Sequence, residues 1–259
     1  MTLSTDLQIG YDPVNQVGTT VLVDQSGNGR DATLSNAPTF VATGLNFVNE
    51  NNQFASNAQN DDWWGETATY HVRFLVRERN TFAWIFGNQA NQANNANMVD
   101  LFLNSAGLPA YGSWTNHSYF STAIDLDTFV NVALTVQQTS DTIATIRMYI
   151  NGTFAAERTN SGLDRDNRPP TLVLGKQRIG DNRTALMLDG VIASFAAWSR
   201  ILTDTEITTL NTNHLAWADT GPAIKYFDGT AWVGKPLKYW TGSAWVAKPL
   251  KRWNGTAWV

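Results

Sequence analysis

Cysteine is absent from the 259 residues, which excludes a disulfide framework, a thiolate metal site and a cysteine nucleophile. Charge is scarce too: Asp, Glu, Lys and Arg make up 15% of the chain, against roughly 25% in an ordinary soluble domain. Asn, Thr and Gly stand in their place. The longest apolar run, Val191 to Trp198, is interrupted by Ser194, whereas a membrane-spanning helix needs about 20 apolar residues. Met1 to Gly10 has neither a basic nor an apolar stretch, so no secretory signal is expected. What remains is enough chain for one large all-β domain or two smaller ones, with a core that needs no staples.

The net charge of −4 hides two opposed parts. Lys225, Lys235, Lys238, Lys248, Lys251 and Arg252 face a single acid, Asp228, so the last 35 residues carry +5. The rest holds 12 basic and 21 acidic residues, or −9. Five of the 11 tryptophans also fall in that short segment. The composition therefore predicts a boundary, with a body over residues 1–218 and a basic, Trp-rich tail over 219–259.

In the body, Tyr70, Val72, Phe74 and Val76 alternate with His71, Arg73 and Arg77, the period of a half-buried strand. Ile146, Met148 and Ile150 alternate likewise and lead into Asn151-Gly152, a hairpin turn because both positions need φ > 0. Phe129 to Val136, Thr171 to Leu174 and Val191 to Trp198 read as further strands. Thr203-Asp204-Thr205-Glu206 is a capping box ahead of Ile207 and Leu210, which predicts one short helix over 204–214. Many strands and one late helix predict an all-β sandwich or jelly roll.

These residues resemble a family. Asp24-Gln25-Ser26-Gly27-Asn28-Gly29 is similar to the D-x-S-G-N-G turn of laminin G-like, concanavalin A-like jelly rolls, and Gly44 to Phe47 to their next strand. Phe129 to Thr135 resembles their W-x-x-V-A-x-T strand, Tyr149 to Gly152 their Y-x-N-G hairpin, and Leu174-Gly175 a later strand. Gly190 to Ile192, then Trp198 to Ile207, resembles the closing G-x-I-D…Y-x-R-x-L…E-I signature, with Ala193 in place of the acid. The resemblance implies a concanavalin A-like jelly roll and, in many members, a calcium ion at the rim. Asp24 is the candidate ligand here, although calcium takes 6–8 oxygens and the same carboxylate suits its own turn as a cap.

Catalysis is not expected. Glycoside hydrolysis needs paired carboxylates, which catalytic relatives place as E-x-D-x-E on one strand. Glu50, Glu66, Glu78, Glu157 and Glu206 are scattered instead, and Asp125 and Asp127 precede a strand in a loop-like stretch. His71, His117 and His214 lack metal-pair spacing, and no G-x-S-x-G elbow occurs. Binding is the stronger expectation. Residues 88–98 hold seven amides in eleven positions, and 49–61 are similar; amides suit sugar hydroxyls and equally suit solvated loops. Trp63, Trp64, Tyr111, Trp114, Asn116 and His117 are the candidate carbohydrate contacts, rings beside polar loop neighbours. Trp84 and Trp198 read as core.

The tail repeats with a period of 13: Lys225 to Leu237, Lys238 to Leu250, and Lys251 to Val259. Asp228-Gly229, Thr241-Gly242 and Asn254-Gly255 read as two-residue hairpin turns, pairing Phe227 with Thr230 and Lys225 with Trp232. Phe227 with Trp232, Trp240 with Trp245, and Trp253 with Trp258 then share one face, flanked by Lys238, Lys251 and Arg252. So small a meander cannot bury that face alone, so these residues are the candidates for anchoring or oligomerisation; self-association, docking on one assembly and gripping a glycan or anionic polymer compete. Nucleic acid is not expected, because the whole chain is acidic. The repeat resembles short W-x-G-x-A-W-V…K-P-L repeats in minor tail and other virion proteins of actinobacterial bacteriophages. That resemblance implies a homo-oligomeric virion protein, made in the host cytoplasm and carried on the tail rather than the head. Its jelly roll would bind a host envelope glycan and its repeats would meet other virion proteins. A capsid decoration or head-fibre protein is the alternative, and an envelope polysaccharide-degrading enzyme stands third. No resident cofactor and no membrane insertion are expected.

Overall fold

The computed structural model describes residues 3–16, 20–58, 67–79, 81–87, 100–113, 116–140, 143–161, 171–177, 183, 186–218, 224–227, 232–235, 238–240, 242 and 245–247. The chain divides into two compact units, Met1–Trp217 and Ala218–Val259.

The first unit is a sandwich of two eight-stranded antiparallel sheets. One sheet is built around β7 (Thr67–Glu78), flanked by β12 (Val130–Ser140) and β16 (Asp189–Trp198). Beyond β12 lie β13 (Ile143–Ile150) and β14 (Thr153–Ser161). Beyond β16 lie β5 (Gly44–Phe47) and β4 (Thr39–Val41), and β1 (Leu7–Tyr11) also pairs with β16. The second sheet runs from β11 (Asn116–Tyr119) through β10 (Pro109–Ser113), β9 (Asp100–Asn104) and β8 (Phe82–Gly87). It continues through β15 (Thr171–Leu174), β6 (Phe54–Ala58) and β3 (Ala32–Ser35) to β2 (Val21–Leu22).

The predicted alternation in β7 sets the layers. Tyr70, Val72, Phe74 and Val76 enter the core between the sheets, where Tyr11, Phe86 and Phe195 meet them. Burying each such side chain contributes about 1.5–3 kcal/mol. The Asn151-Gly152 turn forms as expected, with φ of 50° and 76°. In β16 the register steps from Ile192↔Phe74 to Ser194↔Arg73, so Ala193 sits in a β-bulge. Gly44 permits the close approach there: a Cβ on it would lie 2.4 Å from the Ile192 carbonyl oxygen.

The helix α1 (Asp204–Thr212) begins with the predicted capping box, both halves formed, and buries Ile207 and Leu210. It ends at Thr212 rather than 214, because Asn213 is already extended. Arg200 grips Glu206 with both terminal nitrogens, at 2.7 and 2.9 Å. That hydrogen bonding holds the Glu206 carboxyl down at about 2. Removing the cap with Thr203→Ala is expected to cost about 1 kcal/mol, read as a lower urea midpoint at unchanged slope.

Two stretches expected as loops are ordered otherwise. The amide-rich segment 49–61 contains β6, and Asn49, Gln53 and Asn57 are buried. Gln53 accepts from the Val48 N–H and donates to the Ala37 carbonyl, at 2.8 and 2.9 Å. Tyr111 and His117 lie on the paired strands β10 and β11. The amide-rich stretch 88–98 lies outside the described residues.

Among its described residues the second unit contains two hairpins, β17 (Ile224–Phe227) with β18 (Trp232–Lys235), and β19 (Lys238–Trp240) with β20 (Trp245–Ala247). Their register corrects the expected two-residue turns. Phe227 is opposite Trp232 and Trp240 opposite Trp245, so four residues connect each pair of strands. Lys225 therefore faces Gly234 rather than Trp232. The aromatic positions become direct cross-strand partners, the closest spacing a ladder offers.

Candidate functional site

The α1 helix and the turn after it cover part of the outer face of the β7-centred sheet. Beside the helix N-terminus, where β12, β13 and β14 stay uncovered, a cleft of about 390 Å³ opens. Thr135 and Gln137 of β12, Thr145, Arg147 and Tyr149 of β13, and Glu157 of β14 line it, together with Ile201 to Asp204. Strand alternation explains the lining: these positions point away from the core filled by Leu134, Val136, Ile146 and Met148.

Two linked pairs shape the cleft. Arg147 and Glu157 are direct cross-strand partners, and the Arg147 Nε donates to Glu157 Oε2 at 2.6 Å. That bond raises the guanidinium above its ordinary range. The Tyr149 hydroxyl donates to Asp204 Oδ1 at 2.8 Å, and burial followed by that bond raises the phenol. The wall thus presents carboxylate acceptors, a guanidinium fork, hydroxyls and an amide at fixed spacing. The exposed Ile201 side chain supplies an apolar edge. Such a set can exchange several hydrogen bonds with a polyhydroxylated ligand while its flat faces pack.

The residues expected from the sequence to contact carbohydrate fall elsewhere. Trp63, Trp64 and Trp114 lie outside the described residues. Tyr111 is a correction: it is fully buried against Tyr70, with ring centroids 6.2 Å apart, so its ring belongs to the core. Asn116 opens β11 at a position opposite Ser113. His117 is half-buried, its ring edge-on to Phe102 with centroids 4.6 Å apart, and burial lowers it to about 4. His117 and the exposed Tyr119 continue an aromatic row with Phe102 and Trp84 on the outer face of the second sheet. Trp84 and Trp198 are fully buried. Of the tail candidates, Phe227, Trp232, Trp240, Trp245 and Lys238 sit on the hairpin strands, and the Trp240 side chain is exposed. Trp253, Trp258, Lys251 and Arg252 lie outside the described residues.

Asp24 does not fit calcium. Its two oxygens accept from the Gly10 and Ser26 N–H groups, the Ser26 hydroxyl and the Arg30 N–H, at 2.7–3.0 Å. Four donors aimed at one carboxylate make it the anchor of the Ser26-to-Arg30 turn, and a cation would have to displace them. Among the described residues no group of three His, Asp or Glu is placed to hold a metal.

Sequence reasoning missed Arg147, Tyr149, Glu157 and Asp204 as a set. Arg147 and Tyr149 were visible as outward positions on one strand, but nothing local ties them to Glu157 or to the helix start.

Comparison with known proteins agrees with the architecture. Residues 48–208 match the model of the concanavalin A-like lectin/glucanases superfamily. No curated protein matches the chain by sequence. Among solved structures, Trypanosoma rangeli sialidase in complex with sialic acid is similar at TM-score 0.63 and 15% identity, over 81% of this chain and 33% of that one. A mutant of that sialidase displaying trans-sialidase activity gives 0.64 and 15%, over 83% and 34%. An HCR/D mutant gives 0.58 and 14%, over 83% and 55%. The chain therefore spans about a third of the sialidases' length, and at this identity the likeness shows the fold alone.

That likeness nonetheless overturns the expectation that the chain is not an enzyme. The fold is shared with sialidase chains, so the lack of an E-x-D-x-E strand does not exclude catalysis. The two-sheet sandwich and the match over more than half of the sequence place the chain in the concanavalin A-like lectin/glucanase superfamily.

Proposed function

We propose that the jelly roll is a glycan-binding module whose ligand lies in the cleft beside α1. The observation that carries this reading is the pair of linked contacts, Arg147 with Glu157 and Tyr149 with Asp204, converging on one groove. The lectin/glucanase family and the sialic acid held by one structure of similar fold support carbohydrate as the ligand class. The residues that form the cleft are tied to each other, Arg147 to Glu157 and Tyr149 to Asp204, so binding spends little on ordering them.

The setting we propose is a bacteriophage virion, on the tail rather than the head. The jelly roll meets a host envelope glycan while the Trp-rich repeats anchor the protein to other virion proteins or to further copies of itself. The 13-residue repeat and its opposed aromatic positions, Phe227 with Trp232 and Trp240 with Trp245, support that division.

Screening the full chain on a glycan array tests the binding role. Arg147→Ala and Tyr149→Phe are each expected to lower affinity for the bound glycans by about tenfold, since each unpairs a carboxylate in the groove. Unchanged affinity with both variants folded would remove the cleft as the site. Labelled protein that fails to stain host cells would count against the attachment role. Deleting residues 219–259 is expected to abolish incorporation into particles.

A further inference from the structure

From the charges of the cleft, and resting on the glycan-binding reading above, we infer that its ligand is a neutral sugar rather than an acidic one. Among the described lining residues, two carboxylates, Glu157 and Asp204, stand against one cation, Arg147. The Arg147 Nε is already committed to Glu157 at 2.6 Å, so the guanidinium enters the groove with its charge matched. The Tyr149 hydroxyl donates to Asp204 Oδ1 at 2.8 Å and its oxygen meets the Arg147 guanidinium, so the phenol too is engaged within the cleft. Arg200, which precedes the lining residue Ile201, is paired with Glu206 at 2.7 Å.

Three further lining groups, Thr135, Gln137 and Thr145, are uncharged hydrogen-bonding side chains on two adjacent strands. Sugar hydroxyls both donate and accept. They can donate into the second lone pairs of the two carboxylates and accept from the threonine and glutamine groups. A sugar carboxylate can only accept. It would meet two like charges with no uncommitted cation in the groove, and like-charge juxtaposition costs enough to reject a ligand. The cleft thus selects against the sialic-acid class of ligand seen in the sialidase structure of the same fold.

The test is a glycan array of the full chain that carries matched neutral and acidic members, such as lactose beside sialyllactose and galactan beside polygalacturonate. Bound glycans are expected to be neutral, with at least about tenfold preference over the acidic counterpart. Their affinity should change less than about twofold between low and high salt, because no net charge is neutralised. Asp204→Asn keeps the acceptor for Tyr149 and removes one charge; it is expected to narrow the preference several-fold. A set of bound glycans that is mainly acidic, or binding that weakens steeply with salt, would overturn this inference while leaving the glycan role standing. Binding to no glycan at all would overturn the role and the inference together.

Discussion

Acidification from pH 7 to pH 5 is expected to strip the jelly roll of about 2 kcal/mol through His71 alone. His71 lies on β7, outward-facing but buried beneath the turn that follows α1. His214 of that turn shares a hydrogen bond with the buried Ser194 hydroxyl, at 2.9 Å. Burial lowers both rings from 6.5, His71 to about 3 and His214 to about 4. The charges that bear on His71 are His214 and Arg73, both cationic when protonated, so neither ring can take a proton without repulsion. Because the folded values lie below the unfolded one, the unfolded chain gains protons first. Stability is whole above pH 6.5, falls as pH drops through 6.5, and stops falling on this account near pH 3. His214 steepens the loss, and Glu206, held at about 2 against its ordinary 4.5, adds a further loss below pH 4.5. Urea midpoints measured from pH 7.5 to pH 4 should show the slope, and His71→Gln should flatten it. A wild-type midpoint that is the same at pH 7 and pH 5 would sink the account.

Trp217→Ala is expected to cost about 3–5 kcal/mol, the range for removing a fully buried aromatic side chain. Trp217 is 1% exposed, and its indole N–H donates to the His214 carbonyl at 2.9 Å. It seats on β1 over Gly10, where a Cβ would fall 2.3 Å from the ring. Truncation opens a cavity that the two sheets, tied elsewhere, cannot close. Water then reaches His214 and, behind it, His71. The variant should accordingly show a shallower loss between pH 6.5 and pH 5 than the wild type, from a lower starting point. Gly10→Val should mimic the destabilisation by forcing the ring off its seat. A Trp217→Ala protein within 1 kcal/mol of wild type would show that this turn does not hold the face closed.

Local chemistry was legible wherever one short stretch carries its own instruction. The alternation of Tyr70 to Val76, the Asn151-Gly152 turn and the Thr203–Glu206 capping box each state their structure within a few residues, and each forms as read. Positions whose role depends on what covers them were not legible. His71 alternates as a solvent-facing residue, yet it is buried, close enough to His214, 143 positions later, to feel its charge. Tyr111, among polar neighbours, reads as a loop ring, yet pairing of β10 with β9 turns it into the core.

The cleft shows the same division most sharply. A plain two-residue hairpin at Asn151-Gly152 would set Arg147 opposite Ala156. The irregularity between Met148 and Tyr149 shifts the register by one, so Arg147 faces Glu157 instead, since one extra residue on a strand exchanges its faces. By itself the sequence determined an antiparallel sandwich, a capped helix and a basic aromatic repeat, because period, turn and cap chemistry act over a few bonds. Only the tertiary structure decided which outward side chains share a groove. That depends on a bulge, and on a helix start docking 55 residues after Tyr149, neither of which any local pattern records.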